Sequence, residues 1–323
     1  MRVLFVCGGN IKSFEIIPFI KEQGESLKEQ GIIVDYFPVV GKGFLGYLKA
    51  GMQIRKHRKK NKYDLIHAHF TYSGWAAVIG AGKTPVVLSL LGNDAYGEYI
   101  GVNKVRLSSR ISTFCTLLIQ PFVKAIISKS KNIEKYVYLK HKSWIIPNGI
   151  NKQKFDAERV VGNESSSVIN EKESVLFLGN KNDIRKNYPL AEAAVSKLRL
   201  PNVELINPYP VAHEEIPKYL SNASVLVVPS LMEGSPNVVK EAMACNCPIV
   251  ATDMGDVKWV LGDTEGCYVS SFDVDDFAKK IECALHFSKT NGRTKGKQRI
   301  LSLGLDSETI AHRIIGIYKT AIG

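Results

Sequence analysis

"LMEGSPNVVKEAMACNCPIVATD" runs from Leu231 to Asp253, and its reading decides the architecture of the chain. SVLVVPS just before it is a short β-branched run ending at a Pro-Ser turn, the mark of a buried strand. Glu233-Gly234-Ser235-Pro236 then forms a loop. A helix starts near Asn237, and a proline in the first turn suits that start because its missing N–H is not needed there. CPIVATD follows as the next strand. Strand, loop, helix, strand in this order is the unit of a parallel α/β sheet. Two carboxylates stand out within it: Glu233 at the mouth of the helix and Glu241 inside it. Ser235, Pro236, Asn237 and Val238 line this start, and its free N–H groups, which Pro236 lacks, make with the helix dipole a place for an anion such as a phosphate. A carboxylate beside a phosphate is repelled, so Glu233 suits neutral sugar hydroxyls, and Glu241 suits a ribose. A capping acid and a surface helical acid account for the same two residues equally well.

The same alternation extends outward in both directions. RVLFVCG (2–8) reads as a buried strand, Phe14 to Gln30 as a helix, IIVDYFPVV as a strand and Phe44 to Lys60 as a basic helix. LIHAHF, PVVLSLLG, AIISKS and SWIIPNG are further strands. The polar stretch VVGNESSSVINEKES (160–174) reads as an exposed linker, after which SVLFLGN, VELINPY, SVLVVPS, CPIVATD and GCYVSS restart the pattern. The expectation is two Rossmann-like parallel-sheet α/β domains facing across a cleft, 1–152 and 153–323. The last helix, SETIAHRIIGIYKTAI, is a candidate to pack back on the first domain. Ligands in such sheets bind at the carboxyl ends of the strands, and every polar cluster singled out here falls at one.

The 323 residues are enough for two cores, and no apolar run approaches the length of a membrane span. The six cysteines form no CxxC pair, which points to reduced thiols in a cytoplasmic protein. The charge is lopsided. Residues 1–150 hold 22 Lys and Arg against 9 Asp and Glu, and residues 151–323 hold 21 against 22, so the whole excess of +12 lies in the front half. One domain is therefore expected to meet an anionic surface or substrate, or else carries a basic solvated face. In GFLGYLKAGMQIRKHRKKNKYD (43–64) apolar positions share a helical face beside a Lys/Arg cluster. Either the helix packs on the sheet with a basic end, or that end touches anionic lipid, peripherally. No helix-turn-helix or aromatic-basic platform is evident, so nucleic acid is not expected as a partner.

Glu233-x7-Glu241 with its flanks, PS..EG.PN...EAMA...PIVATD.GD, resembles the two-glutamate motif of retaining nucleotide-sugar glycosyltransferases of sequence family 4, which have the GT-B fold. The resemblance covers nearly the whole chain and is strongest over 175–265. It implies that Glu233 contacts the donor sugar and Glu241 the nucleotide ribose. FLGNKNDIRKN (177–187) is similar to the family loop whose cations neutralise the donor diphosphate, which falls to Arg185 and Lys186. An arginine usual just after the strand glycine is replaced by Asn180.

In the front half, Gly9 in CGGN matches a Gly-Gly loop near the donor diphosphate, and a plain strand-to-helix turn reads the same way. DLIHAHF is similar to the family's Asp-x-x-His-x-His strand end, with one histidine, His67, expected on the acceptor side and the other packing the sheet. In SLLGNDAYG the family's usual histidine is Leu91, leaving Asn93 and Asp94 as acceptor-side and catalytic candidates; Asp94 also reads as a turn residue capping a helix. The resemblance implies transfer of a sugar from a nucleotide diphosphate sugar, a UDP-sugar first, to a glycan or lipid-linked glycan of a bacterial surface polysaccharide. It implies no cofactor and no metal ion. A nucleotide-sugar epimerase and a non-catalytic sugar-nucleotide-binding relative stand as alternatives.

Overall fold

The computed structural model describes residues 1–10, 16–41, 43–156, 173–200 and 202–323. Most of the expected linker at 160–174, and the first residues of the helix expected from Phe14, lie outside the described residues. The chain divides into two compact units, each described here by itself.

The first unit contains β1 (Arg2–Gly8), α1 (Pro18–Glu29), β2 (Ile33–Val39), α2 (Gly43–Lys60), β3 (Leu65–His69), α3 (Thr71–Ala81), β4 (Val86–Leu90) and α4 (Asn93–Tyr96). The hairpin of β5 (Tyr99–Gly101) and β6 (Lys104–Val105) comes next in the chain but belongs to the second unit, where it packs on the turn Ile184–Lys186. The first unit resumes with α5 (Arg110–Ile119), β7 (Ala125–Ser128), α6 (Lys131–Glu134) and β8 (Ser143–Ile145). Its six strands are parallel in the order β2-β1-β3-β4-β7-β8. The central strands are continuous apolar runs because helices cover both faces; Leu4, Phe5, Ile66, Leu88 and Ile126 have no exposed surface. Helix α2 lays Ala50 and Ile54 against α3, while Leu45, Met52 and its basic end, Lys59 and Lys60, stay exposed.

The second unit contains β9 (Glu173–Leu176), α7 (Tyr188–Lys197), β10 (Val203–Ile206), α8 (Ile216–Asn222), β11 (Val225–Val228), α9 (Asn237–Ala244), β12 (Ile249–Thr252), α10 (Val257–Leu261), β13 (Cys267–Ser270), α11 (Val274–Asn291) and α12 (Gly296–Ser302). Its five parallel strands run β10-β9-β11-β12-β13. Val175, Val225, Val227 and Val250 from the sheet pack with Phe277 and Ile281 of α11 as its core. The last helix, α13 (Ser307–Ile322), is part of the first unit, where it packs on α1 and β4 and buries Ile314 and Tyr318 completely.

Strand order reverses beside β9 in the second sheet, since β10 lies on one side of it and β11 on the other. In a doubly wound sheet this reversal opens a crevice at the carboxyl ends of the two strands. The loops that follow β9 and β11 are Gly179–Asn187 and Pro229–Pro236, which carry most of the donor-side candidates.

Candidate active site

The loop after β9 is held by its own polar side chains. Asn180 accepts the Asn182 N–H at 3.0 Å, and Asp183 accepts the Arg185 N–H at 3.0 Å, which shapes the short turn Ile184–Lys186. Asn180, where a further cation is usual in the family, therefore serves as a turn-former. Asn187 leaves the turn in a left-handed conformation (φ 51°) and donates its side-chain amide to the Pro229 carbonyl at 3.0 Å. The Leu231 N–H donates to the Arg185 carbonyl at 2.8 Å. Two loops far apart in sequence are thus tied backbone to backbone.

That tie brings Lys186 to Glu233, Nζ to Oε1 at 2.6 Å, with both side chains partly buried. Two residues chosen separately, one as a phosphate cation and one as a sugar ligand, turn out to be hydrogen-bond partners. Arg185 forks onto Asp183, Nη2 to Oδ2 at 2.7 Å and Nε to Oδ1 at 3.0 Å. Burial pushes the Asp183 carboxyl up, but the Arg185 hydrogen bonds and charge outweigh it and hold the group below its ordinary value. Lys186 also lines a shallow recess with Gly179, Ser230 and Val238.

Helix α9 begins at Asn237 with Pro236 in the capping position, and no side-chain hydrogen bond caps this start. The loop before it is braced from below. Ser235 donates its hydroxyl to Asp256 Oδ2 at 2.5 Å and accepts from Lys240 Nζ at 2.8 Å. Lys240 is fully enclosed; burial pulls its ammonium down, and the Asp256 and Glu241 charges oppose this. Burial likewise pushes the Asp256 carboxyl up against the pull of Lys240. Gly255 (φ 59°) lies against the loop backbone: a Cβ there would stand 2.6 Å from the Gly234 carbonyl oxygen and 2.8 Å from that of Glu233. Glu241 is almost enclosed and accepts from His213 Nε2 at 3.0 Å, and His213 Nδ1 meets Lys154 Nζ at 2.7 Å. Lys240, Gly255, Asp256, His213 and Lys154 carry no assigned role in the sequence reading. The Gly255-Asp256 pair was visible at the edge of the motif. His213 and Lys154 had no local signal, because they reach Glu241 only through the fold.

The first-unit candidates have different surroundings. The Gly9 N–H donates to the Val39 carbonyl at 2.9 Å, and a Cβ at Gly9 would stand 2.7 Å from Pro38 Cβ, so packing alone requires glycine there. The expectation that one histidine of the pair faces outward is corrected: both are enclosed, His67 at 0% and His69 at 1% exposed. β3 is in the middle of the sheet, and His67 and His69, two residues apart, share one covered face of it. His67 sits between Tyr318 Oη, 2.6 Å from Nδ1, and Ser89 Oγ, 2.8 Å from Nε2, and stacks on His69 at 4.3 Å between ring centres. Burial holds both imidazoles well below their usual pKa, helped by the Lys129 charge. Asp94 is enclosed as well. Its carboxylate accepts the Gly92 N–H at 2.8 Å, the Leu91 N–H at 3.1 Å and the Thr71 N–H at 3.2 Å. Burial raises it to about 6 in spite of those bonds. Asp94 thus builds the Leu91-Gly92 turn, the capping alternative, and is not presented to a substrate. Asn93, at the first position of α4, is half-buried. Among the described residues no group of three or more His, Cys, Asp or Glu is placed to hold a metal ion.

Two parallel-sheet domains with loops of this kind after β9 and β11 define the GT-B class. Two family models match the chain: Glycosyltransferase Family 4 over residues 14–154 and Glycosyl transferases group 1 over residues 167–286. The chain belongs to the family 4 glycosyltransferases with the GT-B fold. It is 25% identical, over 66% of its length, to the putative teichuronic acid biosynthesis glycosyltransferase TuaC of Bacillus subtilis, and that match takes in 59% of the relative. It is also 25% identical, over 49% of its length and 40% of the relative, to the N,N'-diacetylbacillosaminyl-diphospho-undecaprenol alpha-1,3-N-acetylgalactosaminyltransferase of Campylobacter jejuni. Its fold is similar to that of Anabaena Alr3699/HepE, solved with UDP-glucose, at a TM-score of 0.70 and 15% identity over 99% of this chain and 100% of that one.

Proposed function

We propose that the protein moves a sugar from a nucleotide diphosphate sugar, a UDP-sugar first, to a glycan or lipid-linked glycan of a bacterial surface polysaccharide, with retention of configuration. The observation that carries this reading is the Lys186–Glu233 pair at the point where the second sheet reverses its strand order, next to the start of α9. Lys186 and the N–H groups at that start offset the negative charge that grows on the diphosphate as its bond to the sugar breaks. Glu233 accepts from sugar hydroxyls, and Glu241, oriented by His213, from the ribose. Arg185 adds positive charge from its place on Asp183. The acceptor hydroxyl attacks the anomeric carbon from the face the diphosphate leaves, and the departing phosphate oxygen takes its proton. The glycoside, the nucleoside diphosphate and one proton are the products.

A lipid-linked acceptor agrees with the basic first half of the chain, and with the diphospho-undecaprenol in the name of the Campylobacter relative. The same charge supports a peripheral place on the inner face of the plasma membrane, and six free cysteines suit the reducing cytoplasm. Among the described residues no helix is long and apolar enough to cross a membrane. The test is a thermal-shift comparison of UDP-, GDP- and ADP-sugars, followed by transfer from the best binder to a polyprenyl-diphosphate glycan. A stabilising UDP-sugar and a product with the donor's anomeric configuration are expected. An inverted product, or an isomerised donor without any acceptor, refutes the reading.

A further inference from the structure

Helix α5 faces the wrong way for a helix bathed in water. Its inward side is Ser112, Thr116 and Ile119, and Thr116 spends its hydroxyl on the Asp94 carbonyl at 2.6 Å and on Thr71 Oγ1 at 2.6 Å. Its outward side carries Ile111, Phe114 and Leu118, which are 63%, 59% and 47% exposed. Leu107 before the helix and Phe122 after it extend the same row to either end, at 75% and 60%. The spacing 107, 111, 114, 118, 122 is that of one helical face, so these five side chains form a single stripe. Soluble helices place polar residues there, and contiguous apolar surface of this kind marks a docking site. Trp75 packs its ring on Phe122 at 5.7 Å and donates its indole N–H to the Cys115 carbonyl, so the stripe is rigidly seated.

The charge around the stripe has one sign. From Tyr99 to Ile133 the chain contains no Asp or Glu. Arg110 and Lys124 are exposed at the two ends of the helical segment. Lys142 places its ammonium on the carbonyls of Gln120, Pro121 and Val123, at 3.5, 3.3 and 3.0 Å. The two acidic groups that bound this segment are both paired, Glu98 with Arg106 and Glu134 with Lys140.

We infer that α5 and its flanking turns are a membrane-docking surface, which inserts Leu107, Ile111, Phe114, Leu118 and Phe122 among the acyl chains of an anionic bilayer. Arg110, Lys124 and Lys142 then meet the lipid phosphates. The basic side chains at both ends of the stripe complement the anionic headgroups of such a bilayer. The inference deepens the membrane reading above and moves it from α2, where Leu45 and Met52 are the exposed large apolar side chains among the described residues, to α5, where five form one stripe. Helix α4, with Asn93, packs on α5, so a bilayer held there brings a lipid-anchored acceptor to the acceptor-side turn of this unit.

The experiment uses the full chain and phosphatidylethanolamine vesicles with and without phosphatidylglycerol. Wild type floats with the anionic vesicles, and rising salt weakens but does not abolish this. Ile111→Asn/Phe114→Ser/Leu118→Asn, all at exposed positions, binds at least about tenfold more weakly with an unchanged melting temperature. Phe114→Trp shifts its emission to the blue on adding anionic vesicles, and Met52→Trp on α2 does not. Equal flotation of the triple variant and wild type overturns the inference, as does a blue shift at position 52 alone. A wild-type dimer that ignores vesicles and is dissociated by the triple variant also overturns it, by making the stripe a contact between two copies. UDP-sugar binding measured on the same samples separates the two readings. Donor binding without flotation sinks only the docking surface, and flotation without donor binding sinks only the transfer reaction.

Discussion

Acidification tests the buried histidine pair of the first unit. His67 and His69 are held neutral in the folded chain well below their ordinary pKa of 6.5, while in the unfolded chain they titrate near that value. Their contribution to stability is therefore complete above about pH 6.5 and is lost as the pH falls, because only the unfolded state takes up the protons. Each neutral imidazole costs about 1.4 kcal/mol per pH unit below that point, so between about pH 7 and about pH 5 the two together remove about 4 kcal/mol. Asp94 works the other way. Its carboxyl is raised from 3.8 to about 6, so the folded state binds that proton more tightly. Its contribution is full below about pH 4 and is lost as the pH rises through about 6, which returns about 1 kcal/mol over the same interval. The histidines win, and a net loss of about 3 kcal/mol is expected at the acid end. Trp259→Phe removes the exposed tryptophan of the second unit and leaves Trp75 and Trp144 to report urea unfolding of the first. A midpoint unchanged from pH 7 to pH 5 refutes the reasoning. So does an equal acid loss in a folded His67→Asn/His69→Gln variant. Should that variant not fold, the ring resonances of the wild type decide: imidazolium signals in the folded protein at pH 5 contradict the burial argument.

The other expectations concern the second unit. Glu233→Gln and Lys186→Met each lower turnover by about a hundredfold or more while circular dichroism stays unchanged, and near-wild-type rates in both remove this pair from the mechanism. Lys240→Met leaves Asp256 enclosed without its cation and costs about 3 kcal/mol, read as a lower melting temperature that donor binding restores only in part. Gly255→Ala forces a side chain into a left-handed residue against the Glu233 and Gly234 carbonyls; a loss of about 1–3 kcal/mol is expected, together with a raised donor KM. His213→Ala weakens nucleotide binding more than it slows the transfer step, since it orients Glu241 and touches no reacting atom.

Both sheets are legible in the sequence because buried parallel strands are short, β-branched runs bounded by turn residues, and that signal is local. The residues proposed for the donor side are legible for the same reason: the glutamates, the Gly-Ser-Pro-Asn turn and the Arg185-Lys186 pair each sit in a few consecutive positions. Their mutual contact is not local. Lys186 meets Glu233 only because Asn187 and Leu231 tie two loops together across the strand reversal. The front half shows the larger gap. His67 and Asp94 carry the chemistry of catalytic groups, and only the helices packed over β3 and the amides around Asp94 make them interior parts. The C-terminal helix, a candidate from the sequence to pack back on the first domain, lies there against α1 and β4, partners that its amphipathic pattern alone does not name.

Helix α5 is the sharpest case. Its sequence, RISTFCTLLI, tells that two kinds of face exist, since apolar and hydroxyl side chains alternate at helical spacing. Composition implies that the apolar one points inward. The fold points it outward, because Thr116 is needed at the Asp94 turn, where its hydroxyl donates to the Asp94 carbonyl, and a helix can offer only one side to its own domain. Local chemistry thus determines which elements form and where the polar loops at the strand ends lie. Long-range packing alone decides which side chains of those elements meet water, each other, or something else.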